Sequence, residues 1–105
     1  MLCALTVRKL KPGTFEDFKE AFIPDDDVEV PAGWKRFYGI RNVSDENEVV
    51  TFGFFDGSLE ELRAGQQQQA EGGGYEERRA RIDEFVESVG ADGIFEVVEE
   101  RTMNG

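Results

Sequence analysis

The stretch from Trp34 to Asp56 constrains this chain more than any other. Trp34-Lys35-Arg36-Phe37-Tyr38-Gly39-Ile40-Arg41-Asn42-Val43 and Glu48-Val49-Val50-Thr51-Phe52-Gly53-Phe54-Phe55-Asp56 are both aromatic and β-branched, and the turn formers Ser44-Asp45-Glu46-Asn47 divide them. That pattern predicts a β-hairpin. Pairing symmetric about the loop sets Val43 opposite Glu48. Alternation then gathers Phe37, Gly39, Arg41 and Val43 with Phe54, Phe52 and Val50 on one face, the face expected beneath helices. The other face receives Trp34, Arg36, Tyr38, Ile40 and Asn42 with Phe55, Gly53, Thr51 and Val49. Large rings with a few polar tips are how small-ligand cavities are lined, so this second face is expected to be covered. One bulge would exchange the faces.

The flanking segments supply the rest of a small domain. Met1 to Lys9 alternates, with Cys3, Leu5 and Val7 on one side and Leu2, Ala4 and Thr6 on the other, and reads as a strand. After Lys11-Pro12-Gly13, Thr14 stands where a helix N-cap belongs, with Glu16 and Asp17 in the first turn. Phe15, Phe18 and Phe22 follow on one helical stripe, expected to be core, and Pro24 ends the helix. Asp25-Asp26-Asp27 reads as a solvated loop, because adjacent carboxylates diverge and no further calcium ligand is spaced to join them. Ser58 and Glu61 match a capping box. Gln66 to Gly74 reads as a flexible loop, or more sharply as a lid over a pocket. Tyr75 to Val89 is expected to be helical, with Tyr75, Ile82, Phe85, Val86 and Val89 on one stripe, a Glu77–Arg81 pair and Gly90 as its stop. Ile94 to Arg101 reads as the last strand.

At 105 residues the chain is expected to form one domain over residues 1–105. Its net charge of −11 argues against nucleic-acid binding and against anionic membrane surfaces. A single cysteine, Cys3, cannot form an internal disulfide, and no secretory leader or long apolar run is visible, so a cytoplasmic location is expected. Histidine is absent. That removes serine–histidine and cysteine–histidine nucleophiles and the usual proximal ligand of haem. No calcium loop or nucleotide-binding glycine loop occurs, and no cofactor or metal is expected.

The order strand, helix, hairpin, helix, strand predicts an α+β, ferredoxin-like βαββαβ fold: a four-stranded antiparallel sheet with its helices on one face. The bare face would then expose Trp34, Tyr38 and Phe55, a patch that soluble monomers rarely tolerate. A homodimer enclosing a cavity between two sheets is therefore expected. Pro31-Ala32-Gly33-Trp34, Tyr38-Gly39-Ile40-Arg41-Asn42 and Val49-Val50-Thr51-Phe52-Gly53-Phe54-Phe55-Asp56-Gly57-Ser58 give the chain a resemblance to the dimeric α/β-barrel group, and within it to the antibiotic-biosynthesis monooxygenase-like family. The resemblance implies either cofactor-free oxidation of polycyclic phenols by molecular oxygen or haem degradation, and the second lacks its histidine here. Family sites draw on Asn, Trp, Tyr and Arg, which makes Arg36, Tyr38 and Asn42 the candidate catalytic residues. Trp34, Thr51 and Phe55 are the candidate substrate-binding residues. A second reading is a non-catalytic dimeric module that binds a small hydrophobic ligand or a partner, since no general base has an obvious partner.

Overall fold

The computed structural model describes residues 1–22, 32–71 and 75–103, without the side chains of residues 69–71, 75 and 76. Pro24, the Asp25–Asp27 run and Gly72–Gly74 lie outside the described residues. The chain runs β1 (Leu2–Leu10), α1 (Phe15–Phe22), β2 (Trp34–Asn42), β3 (Asp45–Phe55), α2 (Leu59–Glu71), α3 (Tyr75–Glu84) and β4 (Val86–Glu96). The four strands pair antiparallel in the order β2-β3-β1-β4, the expected ferredoxin-like α+β sheet.

The hairpin forms, but with a tighter turn than its composition predicts. Asn42 pairs with Asp45, leaving Val43 and Ser44 as the connection. Two side chains hold that turn: Ser44 N–H donates to Asn42 Oδ1 at 2.8 Å, and Asn47 N–H donates to Asp45 Oδ1 at 3.1 Å. These are the local bonds that Asn and Asp offer a turning backbone. A bulge between Arg41 and Asn42 then leaves the rest of the hairpin one residue out of register from the symmetric pairing. Phe37 faces Gly53, Gly39 faces Thr51 and Arg41 faces Val49. A one-residue slip sends every β3 side chain to the other face. Val49, Thr51, Gly53 and Phe55 consequently lie under the helices, and Val50, Phe52 and Phe54 lie on the bare face, the reverse of the expected assignment.

Helix limits also depart from the periodicity. The capping box at Ser58 is present: Glu61 N–H donates to Ser58 Oγ at 3.1 Å, and Ser58 N–H to Glu61 Oε1 at 3.4 Å. Helix α2 then continues through the glutamines to Glu71, where a loop is expected from composition. Glutamine is a good helix former, and a capped start is enough to carry it. Helix α3 stops at Glu84, and Val86 to Val89 belong to β4. An apolar run at this spacing suits helix or strand alike. Pairing decides it, because β4 supplies the partner that the outer edge of β1 would otherwise lack. Lys11 N–H donates to Phe85 O at 2.9 Å, pinning the reversal. The i,i+4 pair on α3 is Arg79–Asp83, at 3.9 Å, in place of Glu77–Arg81.

The core sits between sheet and helices: Leu10, Phe18, Val49 and Ile82 are buried, with Phe15, Ala21, Phe22, Phe85 and Val86 packed around them. Each fully buried side chain of this size contributes about 1.5–3 kcal/mol. A second knot holds the far end, where Phe55 is buried and meets Trp34 edge-on at 5.3 Å. Gly33 has φ +105°, and a Cβ there would stand 2.5 Å from the Phe55 ring. Glycine is required at that position on both counts.

Across the bare face Lys9 Nζ pairs with Asp45. That bond, then the one from Asn47 N–H, holds the Asp45 carboxyl below its ordinary pKa, and the same bond holds Lys9 above its own. A carboxyl that titrates lower when folded stabilises the fold at neutral pH and loses that contribution as pH falls through its folded-state value. Asp45→Asn keeps the turn and removes the charge. Its urea midpoint should lie below wild type at pH 7, and the two should converge in acid below the folded-state pKa of Asp45.

Candidate functional site

The register divides the six residues singled out in the sequence. Arg36, Tyr38 and Asn42 lie on the bare face: Tyr38 stacks on Phe52 at 5.3 Å, Arg36 Nη1 donates to the Tyr38 hydroxyl at 3.4 Å, and Asn42 Nδ2 donates to Glu48 Oε1 at 2.9 Å. Trp34, Thr51 and Phe55 lie on the helix face instead. The shift at Lys35 puts Trp34 and Phe37 on the same side, and a Cβ on Gly53 would meet their rings at 3.0 and 3.1 Å. Phe55 fills the space between Gly33 and Gly57. The expected grouping of these six side chains around one hollow does not occur. Three face outward, and two of the other three are packing.

A hollow lies within the protomer, between α1 and the β2–β3 half of the sheet, with a volume of about 290 Å³. Small-ligand pockets run about 300–1,000 Å³, so this one suits a ligand of one or two fused rings. Its walls are Phe15, Phe18, Phe22 and Phe37, and its floor is Gly39, Val49 and Thr51, with Lys19, Ile40 and Arg41 at the side. Phe22 stacks on Phe18 and on Phe37, each at 5.5 Å, which aligns three rings into one wall. The cleft stays open because of Gly39, where nothing lies within 4 Å of a would-be Cβ. Helix α1 is held over the gap by Arg78, whose Nη2 donates to Phe22 O at 2.6 Å and so satisfies a carbonyl of the last helical turn.

Among the described residues the charged side chains that line the cleft are all of one sign. The chain has 23 acidic and 12 basic residues, yet among the described residues the cleft is lined by Lys19 and Arg41 and by no Asp or Glu. The Arg41 guanidinium lies 4.3 Å from the Phe15 ring centroid, a cation–π contact. A further arginine, not singled out by the sequence reading and not itself lining the cleft, stands against three of its lining residues from the central strand. Arg8 Nη1 donates to Thr51 Oγ1 at 2.9 Å, and its guanidinium stands 5.9 and 5.6 Å from the Phe18 and Phe22 centroids. Burial lowers its pKa from the ordinary value, with Asp92 and Asp83 pulling the other way. The signal was present in β1: Thr6 and Arg8 interrupt the parity set of Leu2, Ala4 and Leu10, and that set faces the helices. Among the described residues no cluster of three or more His, Cys, Asp or Glu is placed to hold a metal ion, and no helix is long and apolar enough to cross a membrane.

Solved structures share this architecture. A candidate antibiotic biosynthesis monooxygenase from Chloroflexus aurantiacus J-10-fl superposes with a TM-score of 0.71 at 10% identity, covering 98% of each chain. Another, from Nitrosomonas europaea, gives 0.68 at 17% identity, covering 94% of this chain and all 100% of that one. The likeness is one of fold. No protein-family model matches the chain, and no curated protein does.

Gly39→Val tests the cleft directly. A valine suits a strand better than glycine and its Cβ meets no atom within 4 Å, so the variant should fold with stability equal to wild type or up to about 1 kcal/mol higher. Its side chain would occupy the floor of the hollow, and binding of an aromatic fluorescent probe should fall at least severalfold. Unchanged probe binding would place the ligand elsewhere.

Proposed function

We propose that the protein binds a small, ionisable aromatic molecule in the cleft beneath α1 and oxidises it with molecular oxygen and no bound cofactor. The observation that carries this reading is the composition of the cleft among the described residues: four phenylalanine walls, one hydroxyl at Thr51, flanking cations and no carboxylate. Such a pocket favours the ionised form of a phenol, because nearby positive charge lowers the pKa of an acid. An electron-rich anion held among rings is the kind of substrate that reduces oxygen itself. A methylene beside the ionised ring becomes a carbonyl, one oxygen atom stays in the product and the other leaves as water. The substrate supplies all the electrons. The protein's part is to bind, orient and keep water away from the reacting carbon. The names of the two structural neighbours favour this chemistry over others that the fold supports.

The second reading is a binding module without catalysis. It is favoured by the same lining, which among the described residues offers no carboxylate, and by a chain without histidine, so that no described side chain in the cleft is an evident general base. Oxygen uptake separates the two. With a phenolic bicyclic methylene compound, and no metal or flavin added, an oxygenase consumes one O₂ per turnover and places one ¹⁸O atom in the product, and Gly39→Val abolishes both. Saturable binding with no oxygen uptake would leave the binding module.

We also infer that the chain works as a homodimer packed through its bare faces. Tyr38, Ile40 and Phe95 are 40, 49 and 49% exposed in the single chain, and Phe52 and Phe54 stand beside them. In this assembly Arg36, Tyr38 and Asn42 lie at the seam between subunits, and the ligand is held within each protomer. Sedimentation at micromolar concentration should give twice the monomer mass for wild type, and Phe95→Asp should give a folded monomer. A monomeric wild type would overturn the assembly.

A further inference from the structure

Arg8 occupies a position that packing alone does not explain. It sits on the central strand, on the face that helices cover, where an alternating strand ordinarily carries apolar side chains. Its one hydrogen bond to a described side chain goes to the neutral hydroxyl of Thr51. The two carboxylates whose charge it feels are each engaged elsewhere: Asp92 Oδ1 accepts from the Thr6 hydroxyl at 2.9 Å, and Asp83 pairs with Arg79. Among the described residues no carboxylate stands within ion-pair distance of Arg8, in a chain where acids outnumber bases 23 to 12. A guanidinium presents a planar fork of N–H donors suited to two acceptor oxygens at once, and a single hydroxyl leaves most of that fork unused.

We propose that Arg8 is the specificity-determining residue of the α1 cleft and that it takes the charged end of an aromatic anion, a carboxylate or phenolate, pointing inward over Thr51 with the rings between Phe18, Phe22 and Phe37. This rests on the cleft being the ligand site and adds the ligand's charge, its orientation and the residue that selects it. Thr51 holds the guanidinium in place from below, and Phe18 and Phe22 hold it from the side. Lys19 and Arg41, which line the cleft, add favourable potential. A partly buried charge–charge hydrogen bond is worth enough to shift affinity about tenfold to a hundredfold. An uncharged ligand of the same shape would forgo all of it.

The test uses two probes of nearly equal shape, 2-naphthoate and the neutral 2-naphthalenemethanol, titrated into the full chain by calorimetry. Wild type should bind the naphthoate at least tenfold more tightly than the alcohol. Arg8→Met, which keeps the apolar stem, should bring the naphthoate down to the level of the alcohol and leave the alcohol unchanged. Arg8→Lys, which keeps the charge without the fork, should fall between. If Arg8→Met fails to fold, the wild-type preference and the Arg8→Lys value still decide. Equal affinity for the two probes in wild type, or equal loss of both in the variants, would overturn the role of Arg8 while leaving the cleft as the site. Binding of neither probe would overturn the cleft itself, and with it this assignment.

Discussion

The seating of Phe18 on Leu10, Val49 and Ile82 is the contact on which the rest of this molecule depends. It fixes α1 against the sheet and ties that helix to α3 at the same point. The neighbours of Phe18 on the helix stripe, Phe15 and Phe22, are then carried out over the edge of the sheet. Beneath them β2 offers Gly39 where a larger residue would close the gap. One aromatic stripe thus makes the core at its centre and a ligand-sized cleft at its flank. The two roles are not alternatives, because rings that stack on each other at 5.5 Å also present flat faces to a guest.

Charge gives the cleft its character. Among the described residues, an acidic chain lines its cleft with Lys19 and Arg41 and with no carboxylate. Arg8 stands against that lining from the central strand, and its partner is a hydroxyl. A half-buried cation whose nearest described carboxylates are engaged elsewhere costs stability. A site that accepts the cost is prepared for an anion from outside, which is the common physical basis of the oxygenase reading and of ligand selection by Arg8.

Much of the fold was legible from local chemistry. The alternation of β1, the capping box at Ser58 and the two runs around Val43 each point to one structure, and the element order leads to the four-stranded sheet. Register was not legible, because four turn-forming residues leave the turn's location undetermined. Asn42 and Asp45 draw it to Val43–Ser44, and the bulge that follows between Asn42 and Arg41 exchanged the faces of β3. The same exchange scattered the candidate site. Arg36, Tyr38 and Asn42 went to the bare face, and Trp34, Thr51 and Phe55 went beneath the helices. The end of α3 was hidden for another reason: Phe85, Val86 and Val89 satisfy both periods, and only the unpaired edge of β1, a long-range fact, selects the strand. Arg8 was invisible because an arginine in an alternating strand reads as solvent-facing until the covered face is known.

Ligand contacts seen by nuclear Overhauser effects in the 2-naphthoate complex measure the central claim most directly, namely that the working hollow lies inside one protomer beneath α1. The naphthyl protons should show contacts to the Thr51 methyl, the Val49 methyls and the Phe18 and Phe22 rings. Contacts instead to Leu5, Tyr38, Phe52 and Phe54 would place the ligand against the bare face of the sheet and contradict the account.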